Sequence, residues 1–202
     1  AKAFSKVMEN HAGIFTLITN TLAKDKEIDD KLRGFKKPIS SRNLSNYVED
    51  EVVDALLGTV HKNYKDLSHR YYKIKAKWLK KTKLDYWDRN APLPQDDDTK
   101  FSWQQAQSIV LESYAAFSPE MAKIGRTFFD KNWIDAAVRP GKSPGAFAHP
   151  TVSSAHPYLL LNFQGKTRDV MTLAHELGHG VHQVLSAGQG QLMSDTPLTL
   201  AE

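Results

Sequence analysis

The chain has 202 residues, of which 41% are hydrophobic and 25% are charged, a composition typical of a globular protein. Its formal net charge of +4 at pH 7 is small and does not by itself indicate a nucleic-acid-binding protein. The absence of cysteine excludes disulfides and thiolate metal ligands, and it favours a reducing, cytoplasmic location. No apolar run approaches the length of about 18 residues that predicts a membrane-spanning helix.

The first 90 residues are predicted to form a helical region. Apolar residues recur in steps of four and three along residues 1 to about 33, as on one face of a helix. His11 lies on this face and is interpreted as a packed histidine rather than a ligand. Asn46 with Glu49 three positions later predicts a capped helix that runs to about Asn63. A further apolar stripe follows at Leu67, Tyr71, Ile74 and Trp78.

A lysine-rich stretch from Lys62 to Lys83 has aromatic residues interleaved with the lysines. Two interpretations of this stretch are open: a nucleic-acid-binding surface or a solvated helix face. We favour the solvated face, because helical stripes account for the aromatic residues and arginine is scarce.

The helical pattern breaks at residues 84–94, and the acidic run Gln95 to Asp98 follows. We predict a boundary here between a helical region at 1–90 and a partial catalytic region at 91–202. Ser102 with Gln105 predicts a capped helix to about Phe117. Ser118 followed by Pro119 predicts the start of the next helix.

The pattern changes after Arg139, where residues 140–145 are rich in glycine and proline, typical of turns. Residues 145–149 and 158–163 are predicted to be a strand pair. The free edge of such a pair can bind an extended peptide, although a purely structural sheet remains an alternative. His149 and His156 each precede a proline; we interpret them as turn residues, with substrate contact as the alternative.

The sequence His-Glu-x-x-His occurs at His175, Glu176 and His179, within a segment of helical periodicity. Because helical residues advance about 100° each, the two histidines lie about 40° apart, one turn above the other. Imidazoles placed in this way can bind one zinc ion. Glu176 lies on the flank of the same face, where it can take a proton from water at the metal.

The rest of this helix is predicted from its caps and its apolar face. Thr167 is the predicted N-cap, and Asp169 falls in the first turn, where a negative charge suits the helix dipole. The residues predicted to face the core are Val170, Leu173, Leu177, Val181 and Leu185.

A catalytic zinc site needs a third protein ligand and one open position. Glu202 is the predicted third ligand, because Thr196 and Pro197 resemble the start of a second helix that would carry it. Asp195 is the rival ligand, although it falls where a loop is expected. His182 is interpreted as a residue near the metal or the substrate, with an ordinary half-buried histidine as the alternative.

Several segments together resemble the central part of the oligoendopeptidase F group, within the thimet-oligopeptidase-like family of zinc metallopeptidases. They cover most of the chain and are found at residues 69–76, 86–94, 141–150, 161–163, 175–182 and 198–202. The resemblance implies that His175, His179 and Glu202 bind Zn²⁺ and that Glu176 is the catalytic base. It also implies a mainly α, multi-helical fold with a small β-sheet next to the zinc-binding helix.

The family's oxyanion-stabilising tyrosine and histidine lie downstream of the third ligand. We therefore expect this chain to be part of a longer protein and to be inactive alone. The predicted function is that of a zinc-dependent endopeptidase that hydrolyses internal bonds of short oligopeptides with a metal-activated water. The predicted partner is an oligopeptide, with neither nucleic acid nor membrane. The alternative is a helical module that binds peptide or nucleic acid without catalysis.

Overall fold

Helices make up 63% of the residues that the structure describes, with a small sheet beside them, as the sequence predicts. The computed structural model describes residues 2–93 and 99–202. None of the described helices is both long and apolar enough to span a bilayer. The helices are α1 (Lys2–Glu9), α2 (Ala12–Arg33), α3 (Ser40–Ser45), α4 (Asp50–Asn63), α5 (Arg70–Trp78), α6 (Trp103–Phe117), α7 (Pro119–Asp130), α8 (Thr167–Ser186) and α9 (Leu198–Ala201).

The described residues divide into two compact units. The first comprises residues 2–72 with Pro197–Leu200 and Glu202, and the second comprises residues 73–93 and 99–196 with Ala201. The division into functional regions at residue 90 stays a prediction. Part of the predicted linker, residues 94–98, lies outside the described residues.

In the first unit, the helix predicted over residues 1 to about 33 is two helices, because a turn at Asn10 and His11 separates α1 from α2. His11 is exposed, so the interpretation of it as a packed histidine is wrong. α2 ends at Gly34, whose φ of 74° is left-handed, a conformation that glycine adopts without steric cost. The hydroxyl of Thr199 donates to the carbonyl oxygen of Asn46 at 2.6 Å.

The second unit contains the hydrophobic core. Within the described ranges, the buried hydrophobic residues all lie between Ala76 and Val181. Phe128 of α7 and Leu173 and Leu177 of α8 are fully buried there. α6 and α7 begin at the predicted caps, since the hydroxyl of Ser102 accepts from the Gln105 N–H at 3.1 Å and that of Ser118 from the Met121 N–H at 3.3 Å.

The described strands of the second unit form one sheet in the order β1 (Ile134–Asp135), β3 (Tyr158–Leu160) and β2 (Phe147–His149). β2 and β3 pair, as the sequence predicts, and they are antiparallel, with Ala148 opposite Leu159. β1 pairs with β3 in parallel and was not predicted, because two residues carry no periodicity. β2 therefore lies at an edge of the sheet.

Asp135 of β1 is held by two cations. The Arg139 guanidinium donates to both its carboxylate oxygens, at 2.9 and 2.6 Å. The Lys142 ammonium also donates to the carboxylate, at 3.0 Å, and the side chain of Lys142 is only 3% exposed. The hydrogen bonds from Arg139, and to a smaller extent from Lys142, hold the pKa of the Asp135 carboxyl below its usual value. Lys142, in the turn after Arg139, thus has a structural role: it binds the carboxylate of β1.

Two cations of the lysine-rich stretch also hold the backbone of the second unit together. The buried Lys75 ammonium donates to the carbonyl oxygens of Arg89 and Ala91, both at 2.8 Å. The Lys81 ammonium contacts the buried Asp88 carboxylate at 2.6 Å. These two cations connect the segment at residues 85–91 to α5 and to the turn that follows it.

Candidate metal centre and its surroundings

The N-terminus of α8 is capped by a carboxylate rather than by the predicted hydroxyl. α8 begins at Thr167 and Lys166 occupies the cap position, so the prediction of Thr167 as the N-cap is wrong by one residue. The carboxylate of Asp169 accepts from the backbone N–H groups of Gln164 and Lys166, both at 2.9 Å. The Asp169 carboxylate satisfies these two donors, and its negative charge lies in the first turn of the helix, where it suits the helix dipole.

One face of α8 is buried against the core of the second unit. Val170, Leu173, Leu177 and Val181 are buried as predicted, whereas Leu185 is exposed because it lies in the last turn. Gly180 allows α8 to approach the ring of Phe128 in α7 closely. A Cβ atom there would lie 2.7 Å from the ring of Phe128, nearer than side chains tolerate. The buried face fixes the direction in which the opposite face points.

Tyr114 of α6 holds the backbone of α8 directly before the first histidine. Its hydroxyl donates to the carbonyl oxygen of Ala174 at 2.5 Å. Burial raises the pKa of the Tyr114 phenol to about 12, because the phenolate would lose its hydration. The hydroxyl therefore stays protonated, as a donor, throughout the neutral range. Nothing in the sequence indicated this contact, since the two residues are 60 positions apart.

The two predicted histidine ligands converge. The Nε2 atoms of His175 and His179 are 3.0 Å apart, and their rings stand nearly perpendicular, with centroids 4.5 Å apart. His175 is exposed and His179 is half-buried. Two imidazoles one turn apart on one helix thus direct the same nitrogen atom to one point, as metal binding by both requires.

Glu202 completes a group of three possible ligands with these histidines. One ligand atom from each of His175, His179 and Glu202 lies within 4.8 Å of the others. Asp195 is not in this group, and His182 is exposed. Two imidazole nitrogens and one carboxylate oxygen are a donor set that zinc accepts in catalytic sites. The residues therefore fit the ion that the sequence predicts.

Glu176 lies beside the two histidines and is 8% exposed. It lines a cavity of about 330 Å³, which we name the Glu176 cavity. The wall opposite α8 comes from the residues before β2 and after β3, namely Gly145, Ala146, Leu161, Asn162 and Phe163. A buried carboxylate is thus placed at the wall of a space large enough for part of a peptide.

The two pre-proline histidines make local contacts. The Nδ1 atom of His149 accepts from the backbone N–H of Thr151 at 3.0 Å. The ring of His156 stacks on that of Trp133, with centroids 4.0 Å apart and planes at 3°. His156 and Asp195 line a second cavity, of about 430 Å³, which we name the Gln183 cavity. Gln183 and Trp133 also line it, and sequence reasoning missed both residues.

Comparison with known proteins gives this arrangement its context. The chain is 30% identical to the chromosomal oligoendopeptidase F of Lactococcus lactis subsp. cremoris over 193 aligned residues. The aligned region covers 95% of this chain and 31% of that protein. It is 31% identical to an oligoendopeptidase F homolog of Borreliella burgdorferi over 185 aligned residues. That alignment covers 91% of this chain and 31% of the homolog.

The fold is also found in a solved peptidase. The crystal structure of PZ peptidase A with an inhibitor superposes with a TM-score of 0.70 over 86% of this chain and 32% of that one, at 21% identity. The chain thus spans about a third of the length of the relatives it matches. The sequence model of Peptidase family M3 matches residues 1–202. This match covers the whole chain, the ligand group and Glu176 included, and the chain therefore belongs to peptidase family M3.

Proposed function

We propose that the protein containing this chain is a zinc-dependent endopeptidase that hydrolyses internal bonds of short oligopeptides. The observation that carries this proposal is the convergence of His175, His179 and Glu202 within 4.8 Å, with the buried Glu176 next to the first histidine. Membership of a peptidase family supports the reaction class. The names of the relatives support oligopeptides as the substrate class.

His175, His179 and Glu202 would hold the metal ion. When bound in such a site, zinc lowers the pKa of a coordinated water toward about 7 and polarises the scissile carbonyl. The chain itself supplies the orientation. Tyr114 fixes the carbonyl of Ala174, and the buried face of α8 fixes the rotation of the helix, so that both imidazoles are directed to one point before the ion binds.

Glu176 is the proposed base. Its carboxylate takes one proton from the attacking water as the water oxygen bonds to the scissile carbonyl carbon. The C–N bond then breaks, and the proton on Glu176 passes to the departing amine nitrogen. The position of Glu176 about 100° around the helix from His175 keeps it beside the metal rather than on it. Its burial at the wall of the Glu176 cavity limits competition from bulk water.

The outer edge of β2 is the proposed binding edge for the peptide backbone. β2 pairs with β3 on one side, so its other side can form main-chain hydrogen bonds with an extended peptide. Phe147 and His149, the first and last residues of the strand, are exposed. A peptide added there would run alongside α8, past Glu176.

We further propose a cytoplasmic location, supported by the absence of cysteine in the sequence. The proposed partner is peptide rather than nucleic acid or membrane. The structural contacts of Lys75 and Lys81 support this choice, because they occupy two of the cations that made the lysine-rich stretch resemble a polyanion-binding surface.

The test uses the natural polypeptide that contains this chain, at its full encoded length, and an internally quenched fluorescent peptide. We expect cleavage that a chelator removes and added zinc restores. Glu176→Gln keeps the shape of the side chain and removes the base, so we expect kcat to fall by about 100-fold or more while zinc content is unchanged. Glu112→Gln, an exposed change of the same chemistry on α6, is the control. Full activity of Glu176→Gln would contradict the role of Glu176.

A further inference from the structure

The Gln183 cavity lies at the C-terminal end of α8 and has no role in the chemistry described above. Its volume is about 430 Å³, enough for a long side chain. One wall comes from the end of α8, from Gln183 to Ser186, and from Ala187 after it, and another comes from the loop at residues 150–157, which follows β2 directly. The Glu176 cavity begins before β2. The two cavities therefore lie toward opposite ends of the proposed binding edge.

The separation of the two cavities matches a peptide that binds along β2. Gln183 follows Glu176 by seven positions, so it returns to within about 20° of the same helix face, about 10 Å further along the axis. An extended peptide rises about 3.4 Å per residue. A side chain in the Gln183 cavity would therefore belong to a residue about three positions from the bond next to Glu176.

Gln183 carries a hydrogen-bond acceptor that lacks a donor. Its Oε1 atom is buried and has no hydrogen-bond partner among the described residues. A buried polar atom left in this state destabilises the fold unless water or a ligand supplies the missing partner. Since Gln183 lines the cavity, a molecule bound there is placed to donate.

A carboxylate and three hydroxyls of the wall also favour a donor. Asp195 adds a carboxylate, and one of its oxygens accepts from the Thr196 N–H at 3.0 Å. The hydroxyl of Thr151 donates to the carbonyl oxygen of His156, that of Ser153 to Gln191 and that of Ser186 to the carbonyl oxygen of Ser194. Their protons are already used. No lysine or arginine is among the lining residues that the structure describes.

The apolar part of the wall suits a long aliphatic stem. Val152, Val184 and the ring of Trp133 line the cavity, and alkyl chains pack on such surfaces while their charged ends reach polar groups. The ammonium of Lys131 lies 5.4 Å from the centroid of the Trp133 ring, but Lys131 does not line the cavity. The lining of the cavity thus combines a carboxylate and other hydrogen-bond acceptors with apolar surface.

We propose that the Gln183 cavity binds the cationic side chain of a lysine or arginine in the peptide substrate. The stem packs against Trp133 and Val184, and the charged end donates to Gln183 Oε1 and to the Asp195 carboxylate. This inference rests on the proposed function, because it assigns a substrate preference to the same site. Asp195, considered as a metal ligand from the sequence alone, is here a substrate-binding residue.

The test compares quenched peptides that differ in one residue, with the natural polypeptide at full encoded length. Arginine is placed in turn at each position within four residues of the cleaved bond, and each peptide is paired with one carrying citrulline, which has the same shape but no charge. We expect one position, about three residues from the bond, at which arginine raises kcat/KM about 10-fold or more, as expected for a charge-assisted hydrogen bond.

Two variants tie that preference to the cavity. Asp195→Asn and Gln183→Met should each reduce the arginine-to-citrulline ratio to about 3 or less. Asp25→Asn, an exposed change on α2, should leave the ratio as it is. Peptide cleavage with a ratio near 1 at every position, or a preference that both variants retain, would overturn the inference and leave the proposed function standing. If no peptide is cleaved with zinc supplied, the proposed function fails, and the inference fails with it.

Discussion

At the scale of single residues, some side chains are proposed to carry the chemistry, and others hold the backbone around them in place. His175, Glu176 and His179 were predicted from spacing alone, because the spacing is a property of one helix. Tyr114 and Gln183 were not predicted. Tyr114 contacts a residue 60 positions away in the sequence. The Oε1 atom of Gln183 lacks a hydrogen-bond partner among the described residues, and this depends on its three-dimensional surroundings.

The role of Tyr114 can be measured as stability. Tyr114→Phe removes the hydrogen bond to the Ala174 carbonyl and leaves the ring in place. We expect the free energy of unfolding to fall by about 1 kcal/mol, the usual net value of such a bond. Chemical denaturation of the natural protein measures this change. Tyr86→Phe, at a ring that is 79% exposed, is the matched control, and equal stability of the two variants would contradict the role of Tyr114.

At the scale of elements, local signals predicted the starts of α6 and α7, but the cap predicted at Asn46 and Glu49 is wrong, because Asn46 ends α3 and α4 begins at Asp50 with Glu49 at its N-cap. The pair Ser102 and Gln105 at the start of α6 and the dipeptide Ser118-Pro119 at the start of α7 were predicted from the sequence, because a helix start involves residues no more than three positions apart. β1 and the exposure of Leu185 were not predicted. A strand of two residues, such as β1, forms only because β3 is next to it. Leu185 continues the apolar periodicity of α8, but the sequence does not show where the core beside that helix ends.

The packing of α8 on α7 depends on a glycine. Gly180→Ala places a Cβ atom against the buried ring of Phe128, 2.7 Å away, so we expect a loss of about 1–3 kcal/mol in the free energy of unfolding. Gly58→Ala in α4 meets nothing within 4 Å and should instead gain up to about 1 kcal/mol from helix propensity. Denaturation curves of both variants decide this, and a Gly180→Ala protein as stable as the parent would be the contrary result.

At the scale of the whole molecule, the sequence predicted the class of fold and the family, which the comparisons confirm. Apolar periodicity was a poorer guide to burial in the first unit than in the second. Phe4 and Leu22 lie on the apolar face predicted along residues 1 to about 33, and both are more than 60% exposed. A periodic stripe identifies the face of a helix, but it cannot say whether another element covers that face.

The central claim is that His175, His179 and Glu202 bind one zinc ion. Anomalous X-ray diffraction from crystals of the natural protein, measured above and below the zinc absorption edge, tests it most directly. The account predicts a single peak in the difference between the two data sets, within about 2.0–2.2 Å of one ligand atom from each of the three residues. A fully zinc-loaded crystal with its peak elsewhere, or with Glu202 replaced as a ligand by another residue, would contradict the account.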